Sequence, residues 1–151
     1  MRLATIITPD GPRAAMQVGR AFMDLNYTDP NLPANVRAFL ELGADGIARA
    51  QDAMGRRTAA FVALEEVVLA PPVADPKKII GIGRNYAAHA AEAGVEPPKE
   101  PVIFAKFNTT LNGHDKPVPL PPPEVSTQVD YEAELVIVVG KAGRFIKKAD
   151  A

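Results

Sequence analysis

Hydrophobic and polar positions follow two different periods along the first part of the chain. Residues 2 to 8 (RLATIIT) are typical of a strand, and residues 14 to 26 predict a second extended pair that is interrupted near Gly19. Between residues 34 and 54 the apolar positions take helical spacing on both sides of a glycine-containing break, which predicts two short helices. Residues 61 to 70 (FVALEEVVLA) fit a strand or a helix, and the pattern leaves both open.

Proline separates this part from the remainder of the chain. Eleven of the fifteen prolines lie between residues 71 and 123, beginning with the linker-like APPVADP. We therefore place a domain boundary near residue 72, which predicts a small N-terminal domain over 1–72 and a second domain over 73–151. Within the proline-rich stretch, Asn112-Gly113 predicts a turn.

The second part begins with a predicted strand, Lys78 to Gly83, which leads through the good N-cap residue Asn85 into a short helix that ends at Gly94. Residues 101 to 107 (PVIFAKF) predict another strand. The longest predicted strand runs from Val129 to Gly140, and its second half is apolar on both faces. That composition is typical of a central strand in a sheet.

Composition excludes several classes of protein. The 151 residues are 47% hydrophobic and 23% charged, which is the usage of a folded globular chain. The formal net charge of -1 supplies no field that would gather a nucleic acid, so we expect no nucleic-acid partner. The chain has no cysteine, which excludes disulfides, thiolate metal sites and thiol nucleophiles.

The absence of several sequence motifs further restricts the kinds of protein that this chain can be. The single serine, Ser126, lies in neither of the common serine-nucleophile motifs, and the chain has no phosphate-binding loop. No signal-peptide core is present, and no apolar run approaches the ~18 residues of a membrane span. We therefore expect a cytoplasmic protein without a membrane partner.

Three carboxylates alternate along the longest predicted strand. Asp130, Glu132 and Glu134 occupy positions i, i+2 and i+4, so a strand would project them from one face. Like charges stacked beside an apolar run are unfavourable unless a cation compensates them. Oxygen donors suit magnesium, manganese or calcium. A half-solvated strand whose acids pair with lysine or arginine explains the same spacing, so both interpretations stay open.

A histidine and a carboxylate lie one turn apart on the predicted short helix. His89 and Glu92 are at i and i+3, where the carboxylate can orient the imidazole as a general base. An ordinary pair on a helix surface has the same spacing. Arg84 and Lys106 flank the two motif segments and could hold an anionic substrate, although isolated surface cations would look alike.

Taken in order, three motifs resemble the fumarylacetoacetate hydrolase family. They are G-x-N-Y-x-x-H-x-x-E from Gly83 to Glu92, E-P-V-x-F-x-K from Glu100 to Lys106, and D-Y-E-x-E-L from Asp130 to Leu135. The resemblance covers roughly residues 77 to 141. The residues before the predicted boundary look like the small N-terminal domain that many bacterial members of this family carry.

The resemblance implies an α+β fold, in which short helices accompany a rolled mixed β-sheet, and it implies homodimers. It also implies a magnesium or manganese ion that Glu132, Glu134 and a further acid hold. His89 and Glu92 would form the dyad that activates water or moves a proton. Lys106, and less directly Arg84, would contact the keto-acid end of the substrate.

Members of this family cleave or rearrange small dicarbonyl or 2-keto acids, and a chelated metal can stabilise the enolate that these reactions share. We expect a metal-dependent hydrolase of the fumarylacetoacetate or acylpyruvate type, active in aromatic compound catabolism. The alternatives are a hydroxymuconate-type isomerase, an oxaloacetate decarboxylase or a non-catalytic remnant. The family's remaining acidic ligand follows the E-x-E strand, so we expect this chain to be the N-terminal part of such an enzyme.

Overall fold

Two separate sets of strands organise the chain, and its computed structural model describes residues 1–92 and 94–151. Residues 1–73 and 112–151 form one compact unit, which we call the sheet unit. Residues 74–111 form the other, which we call the hairpin unit. The domain boundary near residue 72 stays a prediction.

The sheet unit is built on five antiparallel strands. Tight turns join the first three strands, and Gly19 supplies the left-handed backbone, with φ of 57°, between the second and the third. The extended pair that the sequence predicted is therefore confirmed, including its interruption. In chain order the strands are β1 (Leu3–Thr8), β2 (Gly11–Val18), β3 (Ala21–Asp24), β4 (Phe61–Ala63) and β5 (Leu69–Ala70), and the sheet order is β4-β3-β2-β1-β5.

Three helices lie between β3 and β4: α1 (Leu25–Thr28), α2 (Val36–Glu41) and α3 (Gly43–Ala53). Side chains cap the first two, because Asp24 accepts a hydrogen bond from the Tyr27 amide at 3.0 Å and Asn35 accepts one from Ala38 at 3.1 Å. The last two helices confirm the two short helices predicted over residues 34 to 54.

The core of the sheet unit uses both faces of the sheet. Successive side chains along β2 and β3 point to opposite faces of the sheet. Met16 and Met23 therefore lie in one apolar cluster, and Ala15 and Phe22 lie in the other. The larger cluster packs the sheet against the helices through Leu25, Leu32, Val36, Phe39, Ala50 and Ala53.

Residues 61 to 70 form neither a single strand nor a helix. The two short edge strands β4 and β5 are joined by a turn in which the Val67 amide donates to the Ala63 carbonyl at 3.1 Å. Because β4 pairs with β3 and β5 pairs with β1, this segment covers both edges of the sheet. Pairing with β1 and β3, which are distant in the sequence, determines the structure of this segment. Its own periodicity therefore does not predict that structure.

The hairpin unit consists of β6 (Ile79–Gly83), α4 (Ala87–Glu92) and β7 (Val102–Lys106). The two strands are antiparallel, with Ile79 opposite Lys106 and Gly83 opposite Val102. A Cβ placed at Gly81 would overlap the half-exposed Phe104 ring on the partner strand, so a side chain at this position would displace that ring. Both predicted strands and the predicted helix are confirmed, and the helix begins two residues after Asn85.

The long strand predicted from Val129 to Gly140 is wrong for this structure. The segment contains no strand residues, and the apolar side chains from Leu135 to Val139 are 53 to 81% exposed. A strand exists only where a neighbour satisfies its backbone hydrogen-bonding groups. No strand of residues 1–92 or 94–151 pairs with this segment.

Candidate active site

The short helix α4 presents the predicted dyad. Ala90 is the buried residue of this helix, and its amide donates to the Tyr86 carbonyl at 3.2 Å. His89 and Glu92 lie on the exposed surface of the same helix at i and i+3. Residues at this spacing lie on the same side of a helix, so the backbone places both residues on one exposed face of the hairpin unit.

Arg84 connects β6 to α4 through an unusual backbone conformation. Its φ is 55°, in the left-handed region that a residue with a side chain seldom adopts. The arginine is exposed and follows directly after Gly83, the last residue of the strand. Backbone strain of this kind clusters at functional sites, and here it sets the junction from which the dyad helix starts.

Lys106 ends β7 at the opposite end of the hairpin from Arg84. Because Ile79 faces Lys106 in the strand pairing, about five residue steps of about 3.3 Å, or roughly 17 Å, separate the two Cα atoms. The Lys106 ammonium lies 6.0 Å from the centre of the Phe104 ring, a cation–π contact at the limit of its range. The structure therefore does not bring the two predicted substrate cations together at their backbones.

A shallow hollow of about 640 Å³ lies along the hairpin at the Lys106 end. Its apolar lining includes Ile80, Ile103 and Phe107, and its cationic lining includes Lys77, Lys78 and Lys106. An apolar surface beside three ammonium groups suits a small organic anion, whose carbon skeleton and charge would both find partners.

The predicted metal ligands lie elsewhere in the chain. Glu132 and Glu134 belong to the sheet unit, in the exposed segment that forms no strand. The shared strand face that we expected for them and Asp130 is therefore not formed, and the Asp130 carboxylate instead accepts a 2.7 Å hydrogen bond from the Tyr131 amide. The physical reason is again the missing strand partner, because only a paired, pleated backbone alternates its side chains regularly.

The chemistry of these donors still suits a hard divalent cation. Both glutamates offer carboxylate oxygens, and in the described part of the chain neither is ion-paired with a lysine or arginine. No group of three or more histidine, cysteine, aspartate or glutamate side chains that could hold a metal comes together among the residues that the structure describes.

Sequence reasoning missed the strongest electrostatic cluster, which lies in the sheet unit. Asp29 is 1% exposed and accepts hydrogen bonds from Arg49 Nε at 2.6 Å and from the Asn31 amide at 3.0 Å. The Arg49 hydrogen bond holds the pKa of the Asp29 carboxyl far below its usual range, against burial, which would raise it. An arginine twenty residues away gives no local sequence signal, so this cluster is visible only in the fold.

The second half of the chain matches a known family. Residues 78–151 match the family model described as fumarylacetoacetate (FAA) hydrolase C-terminal. The chain is similar to the mitochondrial oxaloacetate tautomerase fahd2 of Xenopus laevis, with 39% identity over 155 aligned residues that span 100% of this chain and 48% of the relative. The mitochondrial oxaloacetate tautomerase FAHD2A of Homo sapiens is 38% identical over the same shares. The chain thus spans about half the length of the curated relatives it matches.

A solved structure supports the fold. The crystal structure of a proposed HpcE protein from Mycobacterium smegmatis superposes with a TM-score of 0.59 and 27% identity, over 80% of this chain and 41% of that one. The family resemblance and the predicted α+β class, with sheets and few short helices, are both confirmed. In residues 1–92 and 94–151 no helix is long and apolar enough to cross a membrane.

Proposed function

Because residues 78–151 belong to the fumarylacetoacetate hydrolase family, we propose that the protein containing this chain is a metal-dependent tautomerase of a small 2-keto dicarboxylic acid, such as oxaloacetate. The observation that carries this proposal is the similarity, over the whole of this chain, to two proteins named oxaloacetate tautomerases. It favours the isomerase alternative over the hydrolase that we expected first from the motifs.

In this proposal the exposed dyad moves the proton. His89 removes a proton from the carbon next to the keto group, and the same proton is returned to the carbonyl oxygen to give the enol. Glu92, one turn along α4, holds the imidazole in orientation and stabilises its protonated form. The reaction is an internal transfer, so it consumes neither water nor an oxidant.

The substrate's charge would be met by cations of the hairpin unit. We assign the keto-acid end of the substrate to Lys106, which lies beside the apolar hollow. Arg84, at the opposite end of the hairpin, is the alternative contact for that end of the substrate. Glu132 and Glu134, with a further acid, would hold the magnesium or manganese ion. When bound, that ion supplies positive charge that stabilises the enolate.

The first test is a keto–enol exchange assay on the full natural protein. We expect it to accelerate the loss of the ultraviolet absorption of enol oxaloacetate, in a manner that requires magnesium or manganese and is abolished by a chelator. His89→Gln should remove the acceleration, whereas Glu124→Gln, in an exposed turn outside the motifs, should not. An exchange rate that the protein leaves unchanged would contradict the tautomerase proposal.

Product analysis of the same mixtures separates the other activities. Release of pyruvate and carbon dioxide from oxaloacetate would identify a decarboxylase. Cleavage of an acylpyruvate would instead support the hydrolase that we expected first from the motifs. A protein that catalyses none of these and whose melting temperature is unaffected by magnesium would be the non-catalytic remnant, because a ligand that binds only the native state must stabilise it.

The homodimer, the cytoplasmic location and the two-domain boundary are also proposals. Light scattering of the full protein would test the dimer. The names of both tautomerase relatives place those proteins in mitochondria, so cell fractionation is the direct test of location. Limited proteolysis that cuts near residue 72 and leaves two resistant pieces would support the boundary.

A further inference from the structure

Asn112 differs from the other asparagines of the chain in the residue that follows it. It precedes Gly113, and glycine has no Cβ that would shield its backbone nitrogen. Asn112 is exposed and belongs to the sheet unit, in the segment that leads into the proline-rich stretch. The five other asparagines precede larger residues: Tyr27, Leu32, Val36, Tyr86 and Thr109.

The two reacting groups are already in contact. The Gly113 nitrogen lies 2.9 Å from Asn112 Oδ1, to which it donates a hydrogen bond. Since a carbonyl bond is about 1.2 Å long, the amide carbon Cγ lies within roughly 4 Å of that nitrogen. A small rotation of the exposed side chain is enough to present Cγ to the nitrogen.

We propose that Asn112 is a site of spontaneous deamidation. The Gly113 nitrogen loses its proton to hydroxide and bonds to Cγ of Asn112. The bond from Cγ to Nδ2 then breaks, and the leaving nitrogen takes a proton from water and departs as ammonia, which regenerates the hydroxide. The five-membered imide that results takes up water at either carbonyl group and opens to aspartate or isoaspartate. Water is the only co-reactant, and nothing is oxidised or reduced.

The modification removes the hydrogen bonds that close this turn. Asn112 Nδ2 donates to the carbonyl oxygens of Pro117 at 3.0 Å and Lys116 at 3.4 Å. A carboxylate has no proton to donate, so the product would face both oxygens without a hydrogen bond and with a negative charge. The turn would therefore open.

The same turn packs closely against the edge strand β5. A Cβ built on Gly113 would lie 2.6 Å from the carbonyl oxygen of Leu69, so the glycine backbone has no room to shift toward the strand. Isoaspartate lengthens the backbone by one methylene immediately before this glycine. The lengthened turn cannot keep this packing, and it would release the strand edge.

Timed incubation of the 151-residue chain at mildly alkaline pH, followed by peptide mass mapping, tests the chemistry. We expect the Asn112 peptide to gain the mass of an amide-to-acid exchange and to split into two isomers. The loss should be about tenfold or more faster than at Asn108, an exposed asparagine followed by threonine, because only Gly113 leaves its nitrogen unshielded. Loss at Asn112 that is no faster than at Asn108, or that does not accelerate with pH, would overturn the proposal.

Two variants test the mechanism and its consequence. Asn112→Gln keeps the amide but lengthens the ring that attack would form, so this peptide should keep its mass. Equal loss from the variant would contradict attack by the Gly113 nitrogen. Asn112→Asp mimics one product, and hydrogen exchange at the Lys116 amide, which donates to the Gly113 carbonyl at 3.3 Å, should accelerate. Unchanged exchange would show that deamidation leaves the turn closed.

Discussion

Arg49 donates a hydrogen bond of 2.6 Å from Nε to Oδ2 of the buried Asp29. Arg56 reaches the same oxygen from the residues after α3, with Nη1 at 3.1 Å. The two arginines thus connect Asp29, which follows α1, to helix α3 and to the residues just after its C-terminal end. A buried carboxylate is stable only when it is paired and hydrogen-bonded, and Asp29 meets both conditions.

Asp29→Asn should destabilise the sheet unit by about 2–3 kcal/mol, because it removes charged hydrogen bonds while both arginines can regain water. Urea unfolding, followed by circular dichroism, measures this change. The matched control is Asp52→Asn, which breaks an exposed pair with Arg56 and should leave the urea midpoint nearly unchanged. Equal effects of the two variants would contradict the assignment of Asp29 as the stabilising partner.

Stability of the sheet unit should also fall in acid. The pKa of Asp29 is lowered on folding from its ordinary value of 3.8, so the unfolded chain takes up this proton first. The stabilisation is complete above the unfolded pKa and is lost as pH falls below it toward the folded pKa. The urea midpoint should therefore stay level from about pH 6 to about pH 5, fall as the pH drops below about 4 in the natural chain, and fall less in Asp29→Asn. If the urea midpoint of Asp29→Asn falls with pH as much as that of the natural chain, Asp29 is not the group that causes the loss of stability in acid.

Gly81→Ala should disrupt the hairpin of β6 and β7. The added methyl group overlaps the half-exposed Phe104 ring, which must turn away, so the loss should be smaller than the roughly 1–3 kcal/mol that overpacking costs in a closed core. Hydrogen exchange of the strand amides is the measurement. Removing the ring in Gly81→Ala with Phe104→Ala should restore part of the protection, and no recovery would show that the ring is not the obstacle.

Arg84 allows backbone strain to be separated from binding. Arg84→Gly and Arg84→Asn both accept a left-handed backbone, and both remove the guanidinium. In the full protein we expect the fold to be kept, the melting temperature to be equal or higher, and the KM for a dicarboxylic substrate to rise. An unchanged KM would remove Arg84 from the substrate site.

Magnesium or manganese should raise the melting temperature of the full protein through Glu132 and Glu134. Substituting either glutamate by glutamine removes one carboxylate ligand, so the rise should shrink or vanish. Glu124→Gln is the matched control, since it makes the same chemical change at an exposed glutamate outside the motifs. A shift of full size in both site variants would contradict the ligand assignment.

Local signals were sufficient for some elements and insufficient for others. The turn at Gly19, the two helices after Asn35 and the hairpin strands follow from backbone preference and short-range periodicity. The strand expected from Val129 to Gly140 has the right composition, yet a strand needs hydrogen-bonding neighbours and its own residues do not provide them. The short edge strands within residues 61 to 70 likewise depend on distant pairing.

In the candidate site, too, some features follow from the local sequence and others depend on contacts between distant parts of the chain. The helical spacing of His89 and Glu92 could be read from the sequence, because a helix fixes which of its residues are neighbours. The distance between Arg84 and Lys106 depends on strand register, and the Asp29 cluster depends on how α3 packs. Both are products of the tertiary fold, and no pattern within a short window contains them.

The exposed run from Leu135 to Val139 also bears on how this chain behaves in concentrated solution. Five consecutive apolar residues with high strand preference form a template on which identical chains can stack into cross-β aggregates. Glu134 and Lys141 flank the run and act as charged gatekeepers against such stacking. The two charges that bound this run therefore keep separate chains from pairing through it.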